Sequence, residues 1–259
     1  MHRFILSSVT AESGRVLLDS KESHHARNVL RVKLGEGVEL LNGRGSKFRA
    51  TVAGFEEGRV VLSVDRSLPA GWQGAGWAAQ SLEITLAPAV IKPERMEWML
   101  EKSCELGVTE WAPILTERST VKLSRERWQA KTERWRKIAA ESCKQCGQAR
   151  VPSLRQPVLF KELLLAAATF EAAWIPSLCF PGEALQTAFS KAPKVTKVLV
   201  LVGPEGDFTE GEVRQAVSKG IKPVSLGPSV LRAETAALYV LSAAQFFYGS
   251  SDRTEDLDK

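Results

Sequence analysis

The chain has 259 residues, of which 44% are hydrophobic and 25% are charged. This is the composition of a folded globular protein, and it excludes a membrane-embedded or intrinsically disordered chain. The length exceeds one average domain, so one or two domains are open and two are the better expectation. Lys and Arg number 35 against 30 Asp and Glu, and the net charge of +5 permits a polyanionic partner without requiring one.

The cysteine content and the start of the chain indicate the compartment. Four cysteines are too few for a disulfide framework in a chain this long. No hydrophobic signal core follows Met1, and no window approaches the roughly 18 to 20 uninterrupted apolar residues that cross a bilayer. We therefore expect a cytoplasmic protein with reduced thiols and no membrane partner.

The first part of the chain alternates apolar and polar residues between glycine turns, a pattern typical of short β-strands. One helix is predicted near residues 23–31. The pattern predicts a small β-barrel over residues 1–68, with strands at 16–18, 38–41, 48–52 and 59–64.

Residues 69–80 contain turn formers without periodicity, including Trp72 and Trp77, and are predicted to be a linker. Strands then alternate with amphipathic helices over residues 81–249, which predicts an α/β domain with a largely parallel sheet. Residues 250–259 form a polar tail. The predicted strands are 82–86, 109–115, 172–175, 195–202 and 223–226, and the predicted helices include 93–106, 124–146 and 232–248.

Positive charge is concentrated between positions 118 and 155. This stretch holds eleven Lys and Arg against three Glu, a net of +8, which leaves −3 for the rest of the chain. Clustered cations are typical of proteins that bind a phosphate backbone, because binding releases condensed counterions. The alternative is a solvated helix face with pairs such as Glu133 and Lys137.

Two glycine-containing loops follow predicted strands. The apolar run 198–202 ends at Gly203-Pro204-Glu205-Gly206, and Thr209 with Glu212 then fits a capping box that opens a helix. The next predicted strand, 223–226, ends at Gly227-Pro228, and a short loop then leads to a helix that starts near Arg232. Ligands bind beyond the carboxyl ends of strands in open α/β sheets, so the two loops can shape one pocket. The alternative is a plain strand-to-helix turn.

Neither loop matches a Walker sequence or a dinucleotide-binding fingerprint. Together, however, Gly203–Gly206, Ser225–Gly227 and Leu231–Ala236 resemble the paired cofactor loops of the RsmE family, the 16S ribosomal RNA uracil-N3 methyltransferases of the SPOUT superfamily. The resemblance extends over most of the chain, to 24–31, 35–37, 42–45, 92–97, 102–108 and 141–146.

The resemblance implies an α/β protein with a small N-terminal PUA-like β-barrel and a C-terminal SPOUT domain tied in a trefoil knot. It implies a homodimer that binds S-adenosylmethionine and methylates N3 of a specific uridine in small-subunit ribosomal RNA, within the 30S subunit. The implied cofactor contacts are Leu201, Val202, Gly203, Pro204, Glu205, Gly206, Leu226, Gly227, Leu231, Arg232, Thr235 and Ala236.

Methylation at N3 requires that uracil lose its N3 proton, so the protein must favour the anion. We expect Arg232 to stabilise negative charge on the uracil carbonyls, with Glu205 and Glu234 as candidate bases or orienting groups; an ion pair of Arg232 with Glu234 or a phosphate contact is the alternative. The RNA contacts expected from the basic residues are Arg3, Arg27, Arg31, Arg44, Lys47, Arg125, Lys131 and Arg134.

Two features depart from the family pattern. Asp207 stands where the family more often has glycine, and residues 174–179 are not the usual version of the first knot loop. Cys143 and Cys146 lack a second ligand pair, so no zinc site is expected. His24 and His25 are expected to pack or touch RNA. The alternative function is a non-catalytic RNA-binding assembly factor with a degenerate cofactor pocket.

Overall fold

The computed structural model describes residues 1–10, 12–68, 82–119, 121 and 124–249. Contacts between residues divide the chain into two units. One contains the N-terminal residues together with Ala140–Val151, and the other contains the rest. The predicted linker and tail, with Trp72 and Trp77, lie outside the described residues.

The first unit contains one five-stranded sheet in the order β1-β3-β4-β5-β2. Its first two strands in this order run parallel and the other pairs are antiparallel. The four predicted strands are confirmed, while β1 was not predicted. The strands are β1 (His2–Ile5), β2 (Arg15–Leu17), β3 (Gly37–Leu41), β4 (Lys47–Glu56) and β5 (Arg59–Leu68).

A short helix interrupts this sheet, as predicted. Helix α1 (Ser20–His24) begins after Asp19, whose carboxylate accepts a hydrogen bond from the backbone N–H of Glu22. It continues as one π-helical turn over His25–Val29, which buries Ala26 in the core of the first unit.

Residues 140–151 belong to the first unit, whereas the sequence placed them in the second domain. Lys144 explains the difference, because its ammonium group lies 2.9 Å from a carboxylate oxygen of Glu22. The guanidinium of Arg3 also donates to the carbonyl oxygens of Lys144 and Gln145, at 3.2 and 2.8 Å. These contacts join residues more than a hundred positions apart, which local sequence patterns do not reveal.

The second unit contains a seven-stranded parallel sheet in the order β12-β14-β11-β13-β6-β7-β9, and a separate parallel pair, β10-β8. The predicted strand 109–115 is split in two, because Pro113 has no N–H to donate to a ladder. The strands are β6 (Glu83–Pro88), β7 (Glu110–Trp111), β8 (Ile114–Leu115), β9 (Ser153–Leu154), β10 (Val158–Leu159), β11 (Ala172–Pro176), β12 (Glu183–Ala184), β13 (Lys197–Val202) and β14 (Lys222–Ser225).

Six further α-helices lie in the described part of the chain, and the three long ones predicted from periodicity are confirmed. In the longest, the residues spaced at three, four and seven face the interior, including Trp128 and Trp135. The helices are α2 (Pro93–Glu105), α3 (Arg125–Cys146), α4 (Phe160–Leu164), α5 (Leu185–Ser190), α6 (Glu210–Ser218) and α7 (Ala233–Tyr248).

The core of the second unit lies around β13, whose apolar run from Val198 to Val202 is buried along its whole length. A strand buried on both faces is typical of a parallel sheet with helices on either side. In the described part of the chain, no helix has both the length and the apolar character needed to span a bilayer.

Candidate active site

A cleft of about 220 Å³ lies at the carboxyl ends of β11, β13 and β14. These strands are parallel neighbours, so the loops that follow them meet at one edge of the sheet. The cleft wall comprises Pro176, Ser177, Leu178, Val202, Gly203, Pro204, Glu205, Asp207, Val224, Ser225, Leu226, Gly227, Ser229, Val230, Leu231, Arg232, Ala233 and Ala236.

The loop after β13 is packed tightly around Gly203. A Cβ atom at this position would lie 3.1 Å from the ring of Phe208 and 3.2 Å from the carboxylate of Asp207. The predicted capping box is confirmed: the N–H of Glu212 donates to Thr209 Oγ1 at 3.2 Å, and the N–H of Thr209 donates to the Glu212 carboxylate at 2.9 Å. The loop is therefore held at both ends, by a buried strand and by a capped helix.

The loop after β14 is open at Gly227. Its φ of +111° is a conformation that side chains disfavour, and a Cβ atom placed there would meet nothing within 4 Å. The glycine therefore leaves bare backbone facing free space. Helix α7 begins just beyond, after Arg232, and small residues form its first turn on the cleft side, namely Ala233 and Ala236.

Most residues predicted to contact a cofactor lie in this cleft wall, and three do not. Leu201 is buried in the sheet core, while Gly206 and Thr235 are exposed outside the wall. One side of the cleft, the end of β11 and the residues after it from Pro176 to Leu178, held no predicted cofactor contact, although the sequence marked residues 174–179 as an altered loop. Those residues carried no glycine motif that would have singled them out.

Arg95 on α2 lies between two of the predicted functional carboxylates. Its guanidinium is 3.5 Å from Glu205 and 3.9 Å from Glu234. The second carboxylate is buried, and its Oε2 has no hydrogen-bond partner among the described residues. Glu205 forms part of the cleft wall, and Glu234 does not. The alternative for Arg232, an ion pair with Glu234, is not found in the described chain, where Glu234 faces Arg95.

Arg118 supports the loop after β13 from outside the cleft. Its guanidinium donates to the carbonyl oxygens of Gly206 and Phe208. The neighbouring N–H of Glu117 donates to the Glu212 carboxylate at 2.9 Å. The sequence counted Arg118 within the basic stretch, but in the structure it stabilises the loop.

Several cationic side chains predicted to contact RNA are paired with carboxylates or buried within the protein. Arg134 forms two 2.7 Å hydrogen bonds to Glu97, and Arg3 donates to Glu39 at 2.7 Å. Lys47 is only 8% exposed, so burial lowers its pKa and keeps its ammonium group away from a phosphate backbone. Arg3, Lys47 and Arg134 remain predicted RNA contacts, although in the structure their charges are paired or buried within the protein.

The other five predicted RNA contacts differ in how accessible their side chains are. Burial also lowers the pKa of Lys131, whose ammonium group lies 5.9 Å from the ring centre of Trp135. The side chain of Arg125 lies outside the described residues. Three arginines of the first unit are exposed: Arg27, Arg31 and Arg44.

A small polar pocket of about 210 Å³ lies beside Arg27 in the first unit. Arg27 donates to the carbonyl of Gly58 at 2.9 Å and lies over the exposed ring of Phe55. His24 contacts Asn28 at 2.8 Å through Nδ1. The pocket is completed by Ser20, Glu57, Gly58 and Arg59.

The two C-terminal cysteines of α3 make local contacts. The thiol of Cys143 lies 3.7 Å from the carbonyl oxygen of Arg150, and that of Cys146 lies 3.8 Å from the carbonyl oxygen of Cys143. Among the described residues, no three His, Cys, Asp or Glu side chains lie close enough together to hold a metal ion.

Comparison with known proteins identifies the family. The RNA methyltransferase domain family matches residues 78–245, and the RNA methyltransferase PUA domain family matches residues 18–65. The ribosomal RNA small subunit methyltransferase E of Synechocystis is 30% identical over 246 residues, covering 93% of this chain and 76% of that protein. The chain therefore belongs to the ribosomal RNA small subunit methyltransferase E family.

Two solved structures of similar proteins extend the comparison. The ribosomal RNA small subunit methyltransferase E of Neisseria gonorrhoeae, bound to S-adenosylmethionine, has a TM-score of 0.84 at 29% identity and covers 96% of this chain and 98% of its own. A methyltransferase from Legionella pneumophila, also with bound S-adenosylmethionine, has a TM-score of 0.82 at 32% identity, covering 94% and 96%. The resemblance that the two glycine loops indicated is therefore confirmed.

Proposed function

We propose that this member of the methyltransferase E family transfers a methyl group from S-adenosylmethionine to N3 of a specific uridine in small-subunit ribosomal RNA. The observation that carries the proposal is the cleft at the carboxyl edge of the parallel sheet, formed by both glycine loops, with Arg232 in its wall. The family match over residues 78–245 supports the reaction class.

The cleft fits an adenosyl group. Apolar side chains such as Val202, Leu226 and Leu231 offer surfaces for the adenine ring, while bare backbone at Gly227 offers polar groups without a side chain in the way. The hydroxyl groups of Ser177, Ser225 and Ser229 also lie in this wall. When bound, the cofactor supplies an activated methyl group on a sulfonium.

The chain's own task is to position uracil and to stabilise its N3 anion. We propose that Arg232 does this, because loss of the N3 proton places negative charge on the two flanking carbonyl oxygens. Arg232 is exposed in the cleft wall, and no ion pair engages it within the described chain. A guanidinium is a permanently charged donor that can hydrogen-bond to one of these carbonyl oxygens and leave N3 open to the methyl group.

Of the two candidate carboxylates, Glu205 is the better placed to accept the proton. It faces the cleft, while Glu234 is buried beside Arg95. We therefore propose Glu205 as the proton acceptor and Glu234 as a group that holds Arg95, which revises the catalytic role expected for Glu234 from the sequence.

We also propose the trefoil knot. Strand β14 lies between β11 and β12, although it follows both of them in the chain. Pro176 and Glu183 pair with the same residue, Val224, from opposite sides. The six-residue connection between them crosses the end of β14, and a Cβ atom at Gly182 would lie 2.8 Å from the β14 backbone. This arrangement supports a knot in which the chain after β14 passes through that connection.

We also propose that the protein acts in the cytoplasm as a homodimer and that its substrate is RNA within the 30S subunit. We propose sequence domains at residues 1–68 and 81–249, with a linker at 69–80 and a tail at 250–259, and the family matches at 18–65 and 78–245 support this division. Residues 140–151 of the second sequence domain belong by their contacts to the first unit. Sedimentation equilibrium tests the dimer, since a monomer mass at micromolar concentration would contradict it.

Calorimetry with S-adenosylmethionine tests the proposed function against the alternative of a non-catalytic RNA-binding factor. The enzyme is expected to bind one cofactor per chain, with saturable heat. Tight binding of small-subunit RNA with no cofactor heat would favour the alternative and contradict the proposal.

A further inference from the structure

Asp207 adopts an unusual backbone conformation in the loop after β13. Its φ is +61°, in the left-handed region that residues other than glycine seldom occupy. Asp and Asn tolerate this region better than other side chains, because their short polar groups hydrogen-bond locally. Such a conformation in a cleft wall calls for a compensating contact, and the side chain of Asp207 supplies one.

One carboxylate oxygen of Asp207 accepts three hydrogen bonds. The donors are the hydroxyl of Ser177 at 3.2 Å, the N–H of Leu178 at 2.7 Å and the N–H of Cys179 at 3.1 Å. All three donors belong to the loop after β11, in which the sequence predicted no cofactor contact. Two consecutive backbone N–H groups that converge on one oxygen form a small anion-binding nest, and Asp207 fills it from within the chain.

A second contact joins the same two loops. The thiol of Cys179 donates to the carbonyl oxygen of Phe208 at 3.2 Å. The backbone N–H of Asp207 meanwhile donates to the carbonyl of Pro204 at 2.9 Å, which closes the turn that carries the carboxylate. The loops after β11 and β13 are therefore tied to each other rather than held independently.

We propose that Asp207 is a positioning residue that fixes the Ser177–Cys179 loop as a wall of the cofactor cleft. The inference deepens the proposed function and rests on it. The two sequence features noted as unusual, Asp207 and the loop before residue 180, are therefore in direct contact: residues 177–179 donate hydrogen bonds to the carboxylate of Asp207. Asp207 acts through that loop and touches none of the reacting atoms.

Two substitutions at this position separate the carboxylate from the backbone conformation. Asp207→Gly keeps a residue suited to the left-handed region and removes all three acceptor contacts. Asp207→Asn keeps the conformation and a neutral acceptor, so its hydrogen bonds become weaker because they lose the assistance of the charge. Glu210→Gln is the matched control, because it removes an exposed carboxylate nearby that pairs only with Arg214 in the described chain.

The primary measurement is the dissociation constant for S-adenosylmethionine, by calorimetry on the full chain. Loss of three hydrogen bonds that order the wall is expected to raise it about tenfold in Asp207→Gly and about threefold in Asp207→Asn. The control is expected to keep the wild-type value. At saturating cofactor, kcat is expected to stay within about twofold of wild type, because a wall that only binds affects KM.

The reactivity of Cys179 reports the loop directly. Cys179 is exposed, while Cys104 and Cys143 are buried, so mass spectrometry can follow its alkylation by iodoacetamide. The rate is expected to rise in the order wild type, Asp207→Asn, Asp207→Gly, and bound cofactor is expected to slow it in the wild type.

The outcomes separate the inference from the proposed function. A wild-type chain that binds no cofactor overturns the proposed function. A wild-type chain that binds it, together with an Asp207→Gly variant of unchanged affinity and unchanged Cys179 labelling, overturns the positioning role alone. A loss of kcat at saturating cofactor with unchanged KM also overturns that role, because it would place Asp207 in the chemical step.

Discussion

At the residue scale, the site depends on how the two arginines at the cleft, Arg95 and Arg232, are engaged. Arg95 faces two carboxylates, at 3.5 and 3.9 Å, whereas Arg232 has no such partner among the described residues. An arginine without an ion pair in a cleft wall keeps its full donor capacity for a ligand. The assignment of Arg232 to the uracil carbonyls follows from this difference.

Substitution of Arg232 by alanine tests that role. Removing one preorganised donor of an oxyanion-type site costs about 100-fold in kcat, and we expect that loss in methyl transfer to RNA. The affinity for S-adenosylmethionine is expected to stay within about threefold of wild type, since the apolar walls bind the adenosyl group. Arg232→Lys keeps the charge without the planar fork and should lie in between. Unchanged turnover in Arg232→Ala would remove Arg232 from the mechanism.

Arg95 gives a second test at this scale. Arg95→Ala leaves Glu205 and Glu234 without their shared cation, so we expect a lower kcat with little change in cofactor affinity. Lys102→Ala serves as the control, because Lys102 lies on the same helix and pairs with Glu101 and Glu105, away from the cleft wall. Equal turnover in the two variants would show that Arg95 has no role in positioning these carboxylates.

At the element scale, each glycine loop connects a strand of the parallel sheet to the start of a helix. The start of α6 is set by Thr209 and Glu212, which cap each other reciprocally. The end of α7 is set by packing: Tyr248 contacts the rings of Trp174 and Phe189, and its hydroxyl donates to the carbonyl oxygen of Ala192 at 3.0 Å. Neither Thr209 nor Tyr248 is part of the cleft wall, and both stabilise the helices that flank it.

Thr209→Ala is expected to lower stability by about 1 kcal/mol, the usual contribution of an N-cap side chain. The midpoint of urea unfolding measures this. Thr209→Ser retains the hydroxyl acceptor and should restore most of the loss. A midpoint equal to wild type in Thr209→Ala would mean that the cap contributes nothing to α6.

The ionisation of Tyr248 tests its packing. Burial raises the pKa of Tyr248 to about 12. The folded state therefore keeps the phenol neutral while the unfolded state ionises near its ordinary value of about 10, so this contribution to stability is present below pH 10 and is lost between about pH 10 and 12. Absorbance at about 295 nm should show a phenolate component with a pKa near 12 that disappears in Tyr248→Phe. Its persistence in that variant would contradict the assignment.

At the scale of the whole molecule, the location of free positive charge differs from the location of basic residues. Many cations of the +8 stretch are paired, with Arg134, Arg136, Lys144 and Arg155 all in ion pairs. Arg27, Arg31 and Arg44 of the first unit are exposed and have no ion pair among the described residues, and the same holds for Arg127 on α3. The first unit is therefore a candidate for contacts with the phosphate backbone, beside the free charge that remains on α3.

Salt dependence distinguishes these surfaces. Arg27→Ala should weaken RNA binding and reduce the slope of log affinity against log salt concentration by about 1, as for one lost phosphate contact. Arg134→Ala, whose guanidinium is already paired with Glu97, should change neither. If a filter-binding titration showed a larger effect for Arg134→Ala than for Arg27→Ala, α3 would be the surface that binds RNA.

Much of this molecule was predictable because its strongest signals are local. Periodicity located α2, α3 and α7, and the run Val198–Val202 marked the central strand. The loops were predictable because strand, glycine and cap follow one another directly in sequence. The contacts of Asp207 with the loop after β11 were not predictable, since they join residues about thirty positions apart, and the pairing of Arg95 with Glu205 spans 110. Strand β1 was missed because four residues carry little periodicity and their partner strand begins over thirty positions later.

The most direct measurement is methyl transfer from labelled S-adenosylmethionine to small ribosomal subunits that lack the modification, followed by digestion of the RNA and identification of the labelled nucleoside. We predict stoichiometric incorporation into a single uridine as N3-methyluridine, which Arg232→Ala reduces about 100-fold. Label at another base or another position of uracil, or no incorporation alongside tight RNA binding, would contradict the proposed function.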